Sequence, residues 1–197
     1  MKLRWMLMPA VLFIWSAALL SQTLGLLVER CGERLCISSP QMHFLQGRAL
    51  EKLRNGSTEA YVLTLRVHTG NSRRPVLTLR ERFLVSFDLW EEKFSVVQEG
   101  RHGRSVSRLS AGMAEAWCME GMPVPAHAIP DGQSFMIKLE CSIDESGTES
   151  GNKVSSTLTL SGLIDIFSRK DTLAPPRWEA SAGPLRLSDV KSVKQAQ

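Results

Sequence analysis

The alternation of apolar and polar residues along the chain predicts a domain made mainly of β-strands. Apolar side chains recur at every second position in several segments, a spacing that places them on one face of a strand. The predicted strands cover residues 35–44, 59–68, 76–89, 93–99, 133–144 and 154–167, with a final edge strand at 184–187. Only short turns separate the second, third and fourth of these segments, so we expect them to form an antiparallel meander.

Two short helices interrupt this pattern. Residues 45–54 carry apolar side chains at helical spacing and end at the stop signal Asn55-Gly56, which favours a helix packed on a sheet. Ser110 supplies an N-cap for a second helix over residues 111–119. The predicted fold class is therefore mainly β, a β-rich α+β fold, in which an antiparallel β-sandwich-like domain carries two short helices.

The first 28 residues have the composition of a targeting segment. Lys2 and Arg4 precede a stretch, Trp5 to Val28, that contains no charged residue. This anatomy predicts either a cleaved signal peptide or an uncleaved signal anchor. Cleavage after Ala18 and cleavage after Gly25 both satisfy the small-residue rule.

Either form of the targeting segment places the remaining chain outside the cytoplasm, since the basic residues stay on the cytoplasmic side. We therefore expect a periplasmic or cell-envelope protein, secreted or membrane-anchored, with membrane association through residues 5–28. The predicted organisation is a signal or anchor at 1–28, one β-rich extracytoplasmic domain at 29–187 and a disordered tail at 188–197.

Charge excludes one class of partner. The chain has 24 basic and 20 acidic residues, and without Lys2 and Arg4 the balance is 22 to 20, a net charge of +2. Such a balance lacks the basic surface that nucleic acids require, so we expect no nucleic-acid partner.

Four cysteines lie in a chain predicted to reach an oxidising compartment: Cys31, Cys36, Cys118 and Cys141. They allow up to two disulfides with three possible connectivities. Cys141 lies on the predicted inner face of a strand, and Cys118, in the second helix, meets it if that helix packs over the strand. The alternative, which the sequence leaves open, is that the cysteines are small buried thiols.

No motif for catalysis or metal binding is present. The four histidines, His43, His68, His102 and His127, lie in separate segments, and no serine sits in a nucleophile-elbow sequence. The spacing of Cys31 and Cys36 fits neither a redox pair nor a zinc site. We therefore expect no catalytic residue, no metal and no cofactor.

Arginine is the one residue type whose clustering indicates binding. Arg101, Arg104 and Arg108 share one polar loop, and Arg73 and Arg74 lie in another. Because the guanidinium group offers a fork of donors suited to phosphate or carboxylate, these five residues are the candidate contact for an anionic lipid or a protein partner.

Four local patterns carry a resemblance to a known family. They are a leucine-x-x-glycine helix end at Leu53–Gly56, an aromatic-polar-turn-aromatic hairpin at Phe87–Phe94, a Glu-Ala pair at 115–116 and a glycine-led strand from Gly132. In this order the chain resembles, over residues 35–168, an uncharacterised bacterial family of exported domains often encoded beside sensor kinases of the nitrogen-regulation type. That family commonly has tyrosine where this hairpin and strand have phenylalanine. The resemblance implies export and a β-rich fold, and it implies no activity.

The sequence thus favours an exported envelope protein with a non-catalytic binding or accessory domain. Two alternatives remain open at this point. One is an extracytoplasmic enzyme, a hydrolase, whose site residues are dispersed along the chain. The other is a carrier for a hydrophobic ligand, which needs a cavity between two sheets.

Overall fold

The computed structural model describes residues 24–70, 72–100, 103–144 and 176–193. These ranges contain ten strands, two α-helices and two short 3₁₀ helices. The strands are β1 (Leu24–Gly25), β2 (Leu27–Cys31), β3 (Arg34–Ser38), β4 (Glu59–Thr69), β5 (Leu77–Asp88), β6 (Lys93–Gln98), β7 (Ser105–Leu109), β8 (Val124–Pro125), β9 (Phe135–Ile143) and β10 (Arg177–Leu185). The helices are α1 (Gly47–Arg54) and α2 (Ala111–Glu120), and the 3₁₀ helices are Ala126–Ala128 and Leu187–Asp189.

The described strands form two sheets. The large sheet has the order β1-β10-β9-β4-β5-β6-β7, and the small sheet has the order β2-β3-β8. All neighbours are antiparallel except β1 and β10, which run parallel. The predicted meander is confirmed as β4, β5 and β6, and the predicted mainly-β class with two short helices is confirmed as well.

One face of the large sheet meets the helices and the small sheet in a single hydrophobic core. Helix α1 contacts β4 and β5, whereas α2 contacts β3 and β6. Period-two alternation explains this face, since alternate residues of each strand point inward. The buried side chains of this apolar pattern include Leu63, Leu65, Phe83, Val85, Val96, Leu139 and Ile143. Phe87 is only partly buried.

Both predicted boundaries of the domain need correction. Residues 24–28, assigned to the targeting segment, lie in β1 and β2, and Leu26 between these strands is buried. The predicted disordered tail is wrong as far as Val193, because Arg30 bonds through its backbone to Lys191 and Val193. Apolar character alone does not separate a membrane segment from a strand that follows it directly.

Some predicted elements lie outside the described residues. These are the targeting segment before Leu24, the strand at 154–167 and residues 194–197. The final edge strand predicted at 184–187 is instead β10, which starts at Arg177 and lies between β9 and β1. The first strand is also shorter than predicted, since β3 ends at Ser38, before Pro40.

Gly183 marks a position where β10 and β9 approach too closely for any side chain. Its φ is +124°, and a Cβ placed there would lie 2.7 Å from the backbone oxygen of Phe135. We expect Gly183→Ala to lower the free energy of unfolding by about 1–3 kcal/mol, because alanine meets both unfavourable φ and backbone contact. Urea titration followed by circular dichroism measures this loss.

Gly25 provides the matched control for this substitution. It lies in the neighbouring strand β1, and a Cβ placed there has no atom within 4 Å. We expect Gly25→Ala to leave the urea midpoint close to that of the parent protein. Equal midpoints for the two variants would show that the backbone around Gly183 relaxes without cost.

Candidate functional site

A turn between β5 and β6 exposes the most prominent apolar side chain of the described residues. We call Asp88–Lys93 the tryptophan hairpin. Trp90 at its tip is 97% exposed and Leu89 beside it is 56% exposed. A tryptophan left in water has a large apolar surface available for contact, and such side chains are concentrated at binding sites. The sequence identified this segment as a turn but did not single out Trp90.

The side chain of Asp88 fixes the turn. Its Oδ1 accepts hydrogen bonds from the backbone N–H groups of Trp90, at 2.8 Å, and Glu91, at 3.0 Å. These bonds, with that from Glu91 the stronger influence, lower the pKa of Asp88 because they favour its charged form. An aspartate bonding to backbone two and three residues ahead is a common device for holding a tight turn.

An ion pair ties the tryptophan hairpin to the end of β7. Arg108 donates from Nε to Oε2 of Glu91 at 3.0 Å and from Nη2 to Oε1 at 2.6 Å. This two-point contact fixes the direction of both side chains. Two non-glycine residues in the described chain have positive φ, Glu92 at 52° and Arg108 at 64°, so the backbone strain of such residues is concentrated here.

Aromatic packing supports the base of the tryptophan hairpin. The rings of Phe87 and Phe94, which face each other across β5 and β6, have centroids 4.9 Å apart. The guanidinium carbon of Arg54, at the end of α1, lies 5.9 Å from the Phe87 ring centroid. Packing below the tip and polar contacts around it therefore hold Trp90 on a preformed platform.

The four described residues of the predicted arginine surface do not lie together. Arg108 is committed to Glu91, whereas Arg104 lies 5.0 Å over the Trp117 ring and donates to Gln98. Arg73 and Arg74 lie exposed in the turn between β4 and β5, at the other end of the 12-residue strand β5. A strand of that length separates its ends by about 40 Å. Arg101 lies outside the described residues.

A cleft lies where β6 ends against α2. This cleft encloses about 510 Å³ and is lined by Arg34, Glu81, Gln98, Glu99, Gly100, Arg104, Glu120, Gly121 and Pro123. Glu81, which breaks the apolar alternation of its strand, accepts a hydrogen bond from Nε2 of Gln98 at 3.1 Å. The described lining holds charges of both signs and no hydroxyl, thiol or imidazole group, so it offers neither an apolar cavity nor a nucleophile of those three kinds.

A buried carboxylate contact is not evident from the sequence. Glu115 in α2 accepts a hydrogen bond from the backbone N–H of Leu45 at 2.8 Å, and its Oε2 lies 3.0 Å from Nδ1 of His43. The Glu115 side chain is 4% exposed and that of His43 is 47% exposed. Some 70 residues separate the partners, so no local pattern reveals the contact. It fastens the loop before α1 to α2.

The cysteines divide into two groups. Cys31 and Cys36 form a disulfide across the β2–β3 hairpin. Cys118 and Cys141 are buried free thiols, so the disulfide considered between them is absent. Burial, reinforced by the negative charge of Glu115, raises the pKa of Cys118 to about 12, and burial raises the pKa of Cys141 well above its usual value. Both thiols stay protonated near neutral pH, and a protonated thiol is a poor nucleophile.

Within the described ranges, no three side chains of the types that bind metals come together. The same part of the chain contains no helix that is both long and apolar enough to cross a membrane. Comparison with protein families, with curated proteins and with solved structures gives no match. The resemblance to the exported family stays a prediction.

Proposed function

We propose that this chain is a non-catalytic binding domain of the cell envelope, which docks on its target through the tryptophan hairpin. The observation that carries the proposal is the 97% exposure of Trp90 on a turn fixed by Asp88 and by the Glu91–Arg108 pair. Binding is stronger when the segment that carries the contacting side chain is held in place beforehand, because less conformational entropy is lost on docking. Tryptophan is also among the residues that contribute most to binding energy.

Export is the second part of the proposal. Its support is the uncharged stretch after Arg4 and the disulfide between Cys31 and Cys36, a bond that persists in oxidising compartments. The fold also bears on the two cleavage positions. Cleavage after Gly25 would remove β1, which pairs with β10, whereas cleavage after Ala18 leaves every described strand intact. A cleaved form of the protein would therefore begin at residue 19.

The geometry gives less support to the two alternatives. A thiol hydrolase needs a reactive cysteine within reach of a base, and the described thiols near Glu115 are buried and protonated. A hydrophobic-ligand carrier needs an enclosed apolar cavity, and the cleft beside α2 is lined by charged side chains. The tryptophan hairpin requires neither feature in order to bind.

A photoreactive residue at position 90 tests the docking role in living cells. We expect a benzophenone-bearing amino acid at Trp90 to give a discrete adduct in the envelope fraction after illumination. The matched control is the same residue at Val97, which is 43% exposed on the following strand, β6. Docking through the hairpin predicts an adduct at position 90 and none at position 97. Identical labelling at both positions would contradict the proposed function.

A further inference from the structure

We infer that the target of the tryptophan hairpin is a membrane surface, and that Trp90 and Leu89 insert among the lipid headgroups. This inference rests on the proposed docking function and names its partner. It is carried by the direction in which the chain enters the large sheet, by the shape of the sheet edge at that end, and by the chemistry of the hairpin tip.

The direction of β1 follows from its pairing. Leu24 pairs with Ala180 in the parallel strand β10, so β1 and β10 run the same way. Arg177, at the start of β10, is level with Ser142 in β9. The position of these two residues relative to the hairpin therefore shows from which end of the large sheet the chain enters β1.

Pairing across β9, β4 and β5 gives that position. Ser142 pairs with Val62, and Val62 pairs with Arg82, which precedes Asp88 by six residues. By the same ladder, Ala180 is level with Leu79, nine residues before Asp88. Moving along β10, and hence along β1, leads away from the hairpin. The chain enters the large sheet from the end that carries Trp90.

The strand ends at this end of the sheet form one sloping edge. The position of each strand end can be given as the β5 residue that lies beside it through the chain of paired residues. By this measure β1 begins level with Leu79, β10 level with Arg82 and β4 level with Val85, and β5 itself ends at Asp88. Strand β9, which lies between β10 and β4, ends level with Phe83, so the strand ends advance toward the hairpin at every step from β1 to β5. A flat surface laid along the edge therefore meets both the entry point of the chain and the tryptophan hairpin.

The segment that precedes the entry point is the one predicted to associate with the membrane. Residues 5–23 contain no charged residue, and 19 residues in a helix span about 28 Å, close to the thickness of a bilayer core. A domain joined to such an anchor has its sloping edge held near the lipid surface. Tethering raises the effective concentration of the hairpin at the lipid surface, so even a weak intrinsic affinity of the hairpin for lipid is sufficient to keep it inserted.

The tip of the hairpin carries the apolar and aromatic side chains of a segment that inserts into the membrane interface. It lacks the excess of basic side chains by which a segment binds anionic lipid through charge. Tryptophan prefers the headgroup region of a bilayer, and leucine adds apolar surface. The charge of Glu91 is neutralised by Arg108. The remaining charges on the tryptophan hairpin are the negative charges of Asp88 and Glu92 and the positive charge of Lys93. This balance gives no attraction to anionic lipid. We expect binding by insertion, independent of salt, in contrast to the predicted arginine contact with anionic lipid.

The test uses the full chain reconstituted in phosphatidylcholine vesicles. An environment-sensitive NBD label is placed at Leu89→Cys or, as the matched control, at Val97→Cys. We expect the label at position 89 to shift its emission to shorter wavelength and to be quenched by lipid-borne doxyl groups, whereas the label at position 97 stays in water. Adding Trp90→Ala should lower the ratio of docked to free hairpin about tenfold.

The outcomes separate this inference from the proposed function. Quenching at position 89 that persists in 0.5 M salt, and does not increase with phosphatidylglycerol, supports insertion. A label that stays in water, or quenching that appears only with phosphatidylglycerol and is lost in salt, overturns it. If the label stays in water while position 90 gives a protein adduct in cells, the hairpin docks on a protein and only the lipid inference fails. If position 90 gives neither a protein adduct nor a lipid adduct, the proposed function fails.

Discussion

Replacing Phe83 with alanine is expected to lower the free energy of unfolding by about 3–5 kcal/mol, the usual loss for truncating a buried aromatic side chain. Phe83 is 0% exposed at the centre of the inner face of the large sheet. Its ring lies edge-on to that of Trp117, with centroids 6.2 Å apart. The ring also packs against Gly121, where a Cβ would lie 2.9 Å from the Phe83 Cζ. Helix α2 therefore loses its main aromatic contact with β5.

Phe87, four residues further along β5 and on the same face, is the matched control. It is only partly buried beneath the tryptophan hairpin, so Phe87→Ala removes less apolar contact, although the apolar pattern ranks it with the core. We expect its cost to be clearly smaller than that of Phe83→Ala. Guanidinium titration of both variants measures the difference. Equal losses would mean that the burial difference between these rings does not govern their contributions.

Glu115→Ala is expected to produce the second large loss, about 2–4 kcal/mol. The substitution removes a buried carboxylate that binds Leu45 and His43. It leaves the backbone N–H of Leu45 buried without its partner, and an unpaired buried donor costs free energy in addition to the lost charged hydrogen bond. The loop before α1 should loosen, and amide hydrogen exchange at Leu45 should accelerate.

Two controls show which part of the contact matters. Glu120→Ala, on the exposed side of the same helix α2, removes a carboxylate without removing a described hydrogen bond, and we expect a change within about 0.5 kcal/mol. His43→Ala removes only the half-exposed partner, so its cost should be well below that of Glu115→Ala. If His43→Ala were as costly as Glu115→Ala, the histidine contact would be the main one, and the bond to Leu45 would contribute little.

The alternation of apolar and polar side chains by itself determined most of the large sheet. Period-two burial depends only on the geometry of a strand, so β4, β5, β6 and β9 were all predicted close to their observed positions. Local signals also predicted the two helices, because Leu53 belongs to a helix end and Ser110 to a helix start. The pattern failed where apolar character has two explanations, as in residues 24–28, which are strand rather than targeting segment.

Only the tertiary structure decided which distant residues meet. The Glu115 contact with Leu45 spans 70 residues, and the ion pair between Glu91 and Arg108 depends on β7 lying beside β6. The same holds for Arg73 and Arg108, which were predicted for one surface and lie at opposite ends of the large sheet.

The exposure of Trp90 is the clearest case of this division. The sequence places a tryptophan in a turn, and it is equally consistent with a ring folded back onto the core. Whether the ring is free depends on what lies next to the turn after the chain has folded. Local periodicity carries information over a few residues, whereas docking surfaces and buried polar contacts arise from strands that become neighbours only in the folded protein.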